Sequence, residues 1–183
     1  MTSLPIKIIL PFMTLMKRIY YPARLKADIV FLDPSVQCDG RVYVLGTRNV
    51  RMGLRCRIGR DTEFETAETG NIRLGDDVRI NRGCTLVSYA GITIGEYAIV
   101  GEYVSIRDAN HGMSPDEPMR CQKHASSPIC IGRDVWIGRG SCILPGVTIG
   151  EGSVVGANSV VNADIPPYSI AAGIPAKIVK KRQ

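Results

Sequence analysis

Aromatic side chains are scarce in this chain of 183 residues: they make up 6% of it, although hydrophobic residues make up 45%. A chain of this length can bury a sizeable core, but this core must be filled with aliphatic and small side chains. Histidine is scarcer still. The two histidines, His111 and His124, cannot build a three-histidine metal site. The six cysteines (Cys38, Cys56, Cys84, Cys121, Cys130 and Cys142) contain no C-x-x-C pair and no His/Cys cluster. That spacing argues against a zinc site or a disulfide frame and for reduced, packed thiols in a cytoplasmic protein. No metal is expected. No apolar run reaches the roughly 20 residues needed to cross a bilayer. The stretch Leu4–Met16 is interrupted by Pro5, Lys7 and Pro11, and no small-residue cleavage site follows it, so export is not expected either.

Acidic residues are sparse at one end. The formal charge is +6 overall, but residues 1–60 carry +8 and the remainder −2. A basic chain invites a nucleic-acid reading. Here the excess lacks interleaved aromatics and any recognisable reading motif, so no nucleic acid is expected as partner. An anionic membrane surface or a phosphate-bearing ligand accounts for it more simply. Ile8, Ile9, Leu10, Phe12, Met13, Leu15 and Met16 are followed by Lys17, Arg18, Arg24 and Lys26. This pattern suits a peripheral contact of residues 1–26 with the inner face of a membrane or with a lipid-linked acceptor. A helix packed on the end of the fold, or joining subunits, suits it equally.

What the chain does have is a period of six. The register runs through Met52, Ile58 and Phe64, slips, continues through Leu74, Ile80 and Leu86, and slips again to Ile94, Val100 and Ile106. After a long break it resumes at Ile131, Ile137, Ile143, Ile149, Val155 and Val161. The next residue is often glycine, and four places on sits a small or β-branched residue such as Cys56, Thr62, Ala98 or Ser141. Each six-residue unit reads as one short strand and a turn, and three units make a triangular coil. The aliphatic residue points into the prism, the small one fits the tight corner, and glycine is expected to tolerate the turn's backbone. An ordinary β-sandwich would show alternation of period two and turns of varied length instead. The expected fold is all-β, a left-handed parallel β-helix of hexapeptide repeats.

Along the chain, residues 1–27 are expected to form a helical segment started or broken at Pro5 and Pro11. Residues 28–165 form the β-helix, its first coil, 28–51, irregular, with turns at Asp33-Pro34 and Asp39-Gly40. Residues 107–128 form an extruded loop, and 166–183 a basic tail after Pro166-Pro167, packed back along the coils. A loop this long in a repetitive scaffold is the first place to look for chemistry.

The segment Ile129–Val161 and the tail IPPYSIAAGIPAKIVK, residues 165–180, resemble the hexapeptide-repeat acetyltransferases. The spacing is most similar to galactoside and maltose O-acetyltransferases and to O-acetyltransferases of polysaccharide biosynthesis. The resemblance covers roughly residues 70–183 and none of 1–50. It implies an acetyl-CoA-dependent transferase acting on a saccharide, assembled as a homotrimer with its sites between neighbouring subunits. It also implies roles. His111, in the Asn110-His111 step, corresponds to the family's catalytic base, and Asn81 to an acceptor-binding asparagine. Trp136 would lie by the acetyl and pantetheine arm, and a backbone N–H near Gly138 and Arg139 would hold the thioester oxygen. Gly156 and Ala157 would bind pantetheine; Lys177 and Lys180 would neutralise CoA phosphates. Asn162-Ala163 stands where family members often have Thr-Lys, and the N-terminus lacks the helical sugar-binding domain of the detoxifying members.

O-acetylation needs a base to take the hydroxyl proton, and histidine, with an ordinary pKa of about 6.5, is largely neutral near pH 7. Asp108 is a candidate to orient His111 or, with Asn110, to meet the acceptor; a turn role is the alternative for Asp108. His124, in an irregular stretch with Pro118 and Pro128 around it, is expected to be less constrained and not to be the base. Other enzymes on this prism fit less well: β-helical carbonic anhydrases need three histidines, nucleotidyltransferases an additional nucleotide-binding domain, and serine acetyltransferases a long helical N-terminus. N-acetylation of an amino sugar or a xenobiotic, and a non-catalytic scaffold subunit, stay open at this point.

Overall fold

The computed structural model describes the backbone of residues 6–183 and the side chains of residues 15, 16 and 19–183. Among the described residues the repeat folds into three sheets of six, eight and six short strands, parallel except for the last pair of the second, the walls of a left-handed triangular prism. In the first wall Leu32, Met52, Leu74, Ile94, Ile131 and Ile149 stack coil upon coil. The second stacks Cys38, Ile58, Ile80, Val100, Ile137, Val155 and Ala171. The third stacks Val44, Phe64, Leu86, Ile106, Ile143 and Val161. All of these except the half-buried Val44 are buried, so the aliphatic register is the core. At the corners the small residues are buried too, and their polar atoms are satisfied: the Ser141 hydroxyl donates to the Gly156 carbonyl at 3.0 Å, and that of Ser153 to the Pro166 carbonyl at 2.8 Å.

Glycine's role differs from the expectation. The glycines that follow the aliphatic position have ordinary φ; positive φ falls two residues later, at Arg55, Asp61, Asp77, Tyr97, Tyr103, Asp134 and Asn158 among others. What the early glycines supply is closeness between coils. A Cβ on Gly138 would stand 2.6 Å from the amide nitrogen of Ala157.

Three further expectations are corrected. The N-terminal helix spans Ile6–Asp28 and runs through Pro11 without breaking, since proline's fixed φ is helical and costs only its own bond and local strain. Residues 1–5 lie outside the described residues, as do the side chains of Ile8, Ile9, Leu10, Phe12, Met13, Lys17 and Arg18. Leu25 and Tyr21 plug this helix onto the end of the prism. The coil after it, beginning at Phe31, is regular rather than irregular: Leu32, Cys38 and Val44 keep the spacing of six. The tail is a hairpin, Ser169–Gly173 with Ala176–Lys181, that extends the second wall beyond Val154–Val155.

Every slip in the register follows the third wall, at the corner leading back to the first. The breaks after Val44, Phe64 and Leu86 lie beneath the long break after Ile106, so the irregularities form one column up one edge. Among the described residues no helix is long and apolar enough to cross a membrane.

Candidate active site

The long break is the first corner to consider, because there the repeat stops dictating structure. Leaving the third wall, the chain first buries a carboxylate. Asp108 is wholly buried and accepts hydrogen bonds from the Ser88 hydroxyl (2.8 Å) and from the N–H groups of Tyr89 (2.7 Å), Ala90 (3.0 Å) and Gly91 (2.6 Å). Its oxygens are occupied by the slip of the coil below. Asp108 therefore neither orients His111 nor meets an acceptor; it anchors the break.

Beyond it, the loop is not irregular. Strands Ala109–His111 and His124–Ser126 pair antiparallel, with His111 directly opposite His124. The two imidazoles lie 4.6 Å apart between centroids, and the Tyr89 ring packs on the far side of His124 at 4.3 Å. The expectation that His124 is loosely placed is thus wrong: it is the middle ring of a stack of three. His111 is the exposed end of that stack. A cavity of about 460 Å³ adjoins it, with Glu65, Val87, Tyr89, Arg107, Asn110 and both histidines in its walls. Tyr89 and Glu65 escaped the sequence reading. An aromatic residue in a slip just below the long break was the available signal for Tyr89; Glu65, an outward residue of an ordinary strand, gave none.

The second corner, between the second and third walls, holds most of the other candidates. Asn81, Gly101, Glu102, Trp136, Gly138, Arg139, Gly156 and Ala157 line one groove of about 610 Å³. Trp136 is 54% exposed and lies in the outward row of the second wall between Ile99 and Val154. Close packing of Gly138 on Ala157 leaves the backbone itself as the groove's surface. Among the described residues the amide N–H groups of Arg139 and Ala157 have no intrachain acceptor, so they are available to a carbonyl or oxyanion in the groove. Lys177 and Lys180 are exposed on the outer strand of the tail hairpin and do not line this groove, although Lys180 continues the row of Trp136 and Val154 through Ile170. Arg182, not anticipated, fixes the tail by hydrogen bonds to Asp134 and to the Gly152 carbonyl, both at 2.9 Å.

Asn81 lies in the turn entering the third wall, and His111 beyond the turn leaving it. One chain therefore does not bring the base candidate and the groove together. Among the described residues no group of three or more His, Cys, Asp or Glu side chains is placed to hold a metal ion.

Residues 131–163 match the bacterial transferase hexapeptide (six repeats) family. The chain is 42% identical over 163 residues to the Mycobacterium tuberculosis acetyltransferase named Rv3034c, covering 88% of itself but only 53% of that protein, about half its length. It is 35% identical over 147 residues to WbbJ of Escherichia coli, named as a lipopolysaccharide biosynthesis O-acetyl transferase, covering 76% of this chain and 75% of the other. Among solved structures, a variant of the Bacillus cereus N-acyltransferase AntD, crystallised with dTDP-4-amino-4,6-dideoxyglucose and coenzyme A, superposes with a TM-score of 0.76 at 23% identity over 88% of each chain. With this prism, its coil-edge groove and relatives of this similarity, the chain belongs to the hexapeptide-repeat acyltransferases.

Proposed function

We propose that this protein transfers an acetyl group from acetyl-CoA to a saccharide hydroxyl, in the synthesis of a surface polysaccharide, as a homotrimer. The observation that carries the reading is the division of the candidate residues between two edges of one wall: a groove with free amides at one edge and an exposed imidazole at the other. Cyclic assembly puts the second edge of one protomer against the first edge of the next, three times over. In that arrangement the groove beside Trp136, Gly138, Gly156 and Ala157 holds the pantetheine arm, and Asn81 holds the acceptor. His111 of the partner subunit takes the hydroxyl proton as that oxygen attacks the thioester carbonyl. The free amides of Arg139 and Ala157 stabilise the oxyanion. The imidazolium then returns the proton to the departing thiolate. Lys177 and Lys180 belong to the CoA phosphates, beyond the groove's end. The similarity to WbbJ supports a hydroxyl acceptor in a surface polysaccharide.

The test is release of free thiol from acetyl-CoA with a panel of saccharides and amino sugars, with products identified by mass spectrometry. An O-acetyl ester is expected; an amide product, or no acetylation with any acceptor, would refute the hydroxyl reading. Light scattering should give a trimer, and mixing an inactive His111→Ala protein with an inactive Gly138→Trp protein should restore part of the activity after subunit exchange.

Leu15, Met16, Ile19 and Tyr20 are all about half exposed or more on the N-terminal helix, next to Arg24 and Lys26. This supports contact of that end with the inner face of an anionic membrane. Full-length protein should float with anionic liposomes, and Leu15→Ser with Ile19→Ser should abolish flotation.

A further inference from the structure

The acetyl-transfer groove does not end at Asn81. Along the same edge, toward the N-terminal coils, it opens into a second cavity of about 280 Å³ lined by Asp39, Gly59, Arg60, Asn81, Arg82 and Glu102. Asn81 and Glu102 belong to both. A ligand whose reacting end lies by Asn81 therefore has this cavity as the place for the rest of it.

The charges there are not self-cancelling. Asp39 is already engaged by Arg57, whose guanidinium donates to its carboxylate at 3.0 and 3.2 Å. Among the described residues Arg60 meets only Asp61, at 3.8 Å, with both side chains mostly in solvent, an ion pair of little strength. Arg82 has no ion pair among the described residues; its guanidinium lies 5.7 Å from the centre of the Tyr103 ring. Arg60 and Arg82 occupy the same corner position in successive coils. These coils touch so closely that a Cβ on Gly59 would stand 2.4 Å from the Arg82 amide nitrogen. Neighbouring coils repeat at about 4.8 Å, so the two side chains leave the same corner one coil apart, and planar guanidinium forks on such stems are suited to adjacent phosphates. One coil further on, Glu102 reverses the sign. It confines an anion to the arginine side and leaves the Asn81 side for an uncharged sugar ring.

We propose that Arg60 and Arg82 hold the diphosphate of an acceptor whose saccharide is linked through phosphate, placing the sugar hydroxyl at Asn81. This rests on the acetyltransferase reading for the sugar's fate, but the anion site itself does not. The diphosphate has two possible sources, a nucleoside diphosphate sugar or a polyprenyl diphosphate sugar in a membrane.

Two measurements test it. The first is calorimetry of inorganic pyrophosphate into CoA-saturated protein, so that the CoA phosphate contacts are already filled. Saturable binding is expected, weakened roughly tenfold or more in the Arg60→Ala/Arg82→Ala protein, the scale for losing hydrogen bonds to a charged group. No binding, or equal binding by the double variant, overturns the proposal. The second is acetyl transfer to nucleoside-diphosphate hexoses, to a polyprenyl-diphosphate hexose in vesicles, and to the matching phosphate-free hexoses. The linked acceptor of the correct source should have the higher kcat/KM, and the double variant should lose that preference through KM while keeping transfer to the phosphate-free sugar. Equal kcat/KM for linked and free sugars overturns the proposal. Pyrophosphate binding that depends on the two arginines, with no acetyl transfer to any acceptor, would uphold the anion site and reject the acetyltransferase reading instead.

Discussion

The walls of the prism and the hairpin that interrupts them obey different rules. In the walls, each residue answers to the coil above and the coil below, so its character is set by position within six. In the hairpin only one pairing holds, between 109–111 and 124–126, and side chains are free to be chosen for chemistry. The protein keeps the two regions joined through Asp108, which belongs to the break but is bonded to the coil beneath. Rigid scaffold and chemical side chain meet at that residue, and a flexible loop becomes a positioned one.

If the hairpin carries the chemistry and the walls the stability, substitutions in the two should move different quantities. His111→Ala should give the largest effect, about 10²–10⁴-fold in kcat, with CoA affinity and thermal midpoint unchanged. His124→Ala removes the middle ring of the stack rather than the proposed base, and should cost roughly tenfold, equivalent to about 1.4 kcal/mol in the barrier. Steady-state kinetics at saturating acceptor separates them. Wild-type turnover by His111→Ala would break the assignment of the base. Equal losses in the two would show that the stack acts as one unit.

Asp108→Ala should blur the division, because it strips the acceptor from the amides of the half-buried Tyr89, Ala90 and Gly91 and leaves the Ser88 hydroxyl only the Asn71 carbonyl, at 3.0 Å. A buried unsatisfied donor costs about 1–3 kcal/mol, so denaturant unfolding should show a loss of about 2–4 kcal/mol, together with reduced kcat. A large kcat loss at unchanged stability would mean that Asp108 does act on His111 directly. Within the walls, Gly101→Ala forces a Cβ to 2.6 Å from the Arg139 amide nitrogen. Overpacking of this kind costs about 1–3 kcal/mol. Substituting Ser114 in the exposed hairpin connection should stay within about 0.5 kcal/mol. If the two cost the same, the contrast between wall and hairpin fails.

The walls were legible because burial on every coil repeats the same demand; Ile131 and Ile149, three units of six apart, announce one column by spacing alone. The slips were visible as well, but not their common edge, which appears once each is seen to follow a third-wall residue: Phe64, Leu86, Ile106. The hairpin was legible only as a place. Nothing in Asn110-His111 or in Lys123-His124 says that these histidines face one another, because a single antiparallel pairing has no period to read. Asp108 was misjudged for a related reason: its partners are backbone amides of Tyr89, Ala90 and Gly91, which carry no sequence signature. Arg60 and Arg82 carry no signature in the sequence; they become a pair only because they hold the same corner position in successive coils.

The smallest expected effect belongs to the walls, and at neutral pH it is close to nothing. Cys56 and Cys84 occupy the small corner position and donate to the carbonyls of Gly75 at 3.1 Å and Gly101 at 3.0 Å. Ser141 makes the equivalent bond to Gly156 at 3.0 Å, so serine is a native solution at this position. Burial in the prism pushes both thiols up from 9.0 to about 11, since the thiolate loses its water. An unfolded chain releases these protons near the ordinary value, whereas the folded chain holds them about two pH units longer. Between pH 9 and pH 11 the native state therefore binds more protons than the unfolded state, and stability falls as pH rises. Below pH 9 both states keep the protons and the contribution is fully present. Urea midpoints at pH 7.5 should be nearly equal for wild type and Cys56→Ser/Cys84→Ser, and at pH 10.5 the wild type should have lost more. Parallel loss in the two proteins would mean that other groups, not the corner thiols, govern the alkaline limit of the prism.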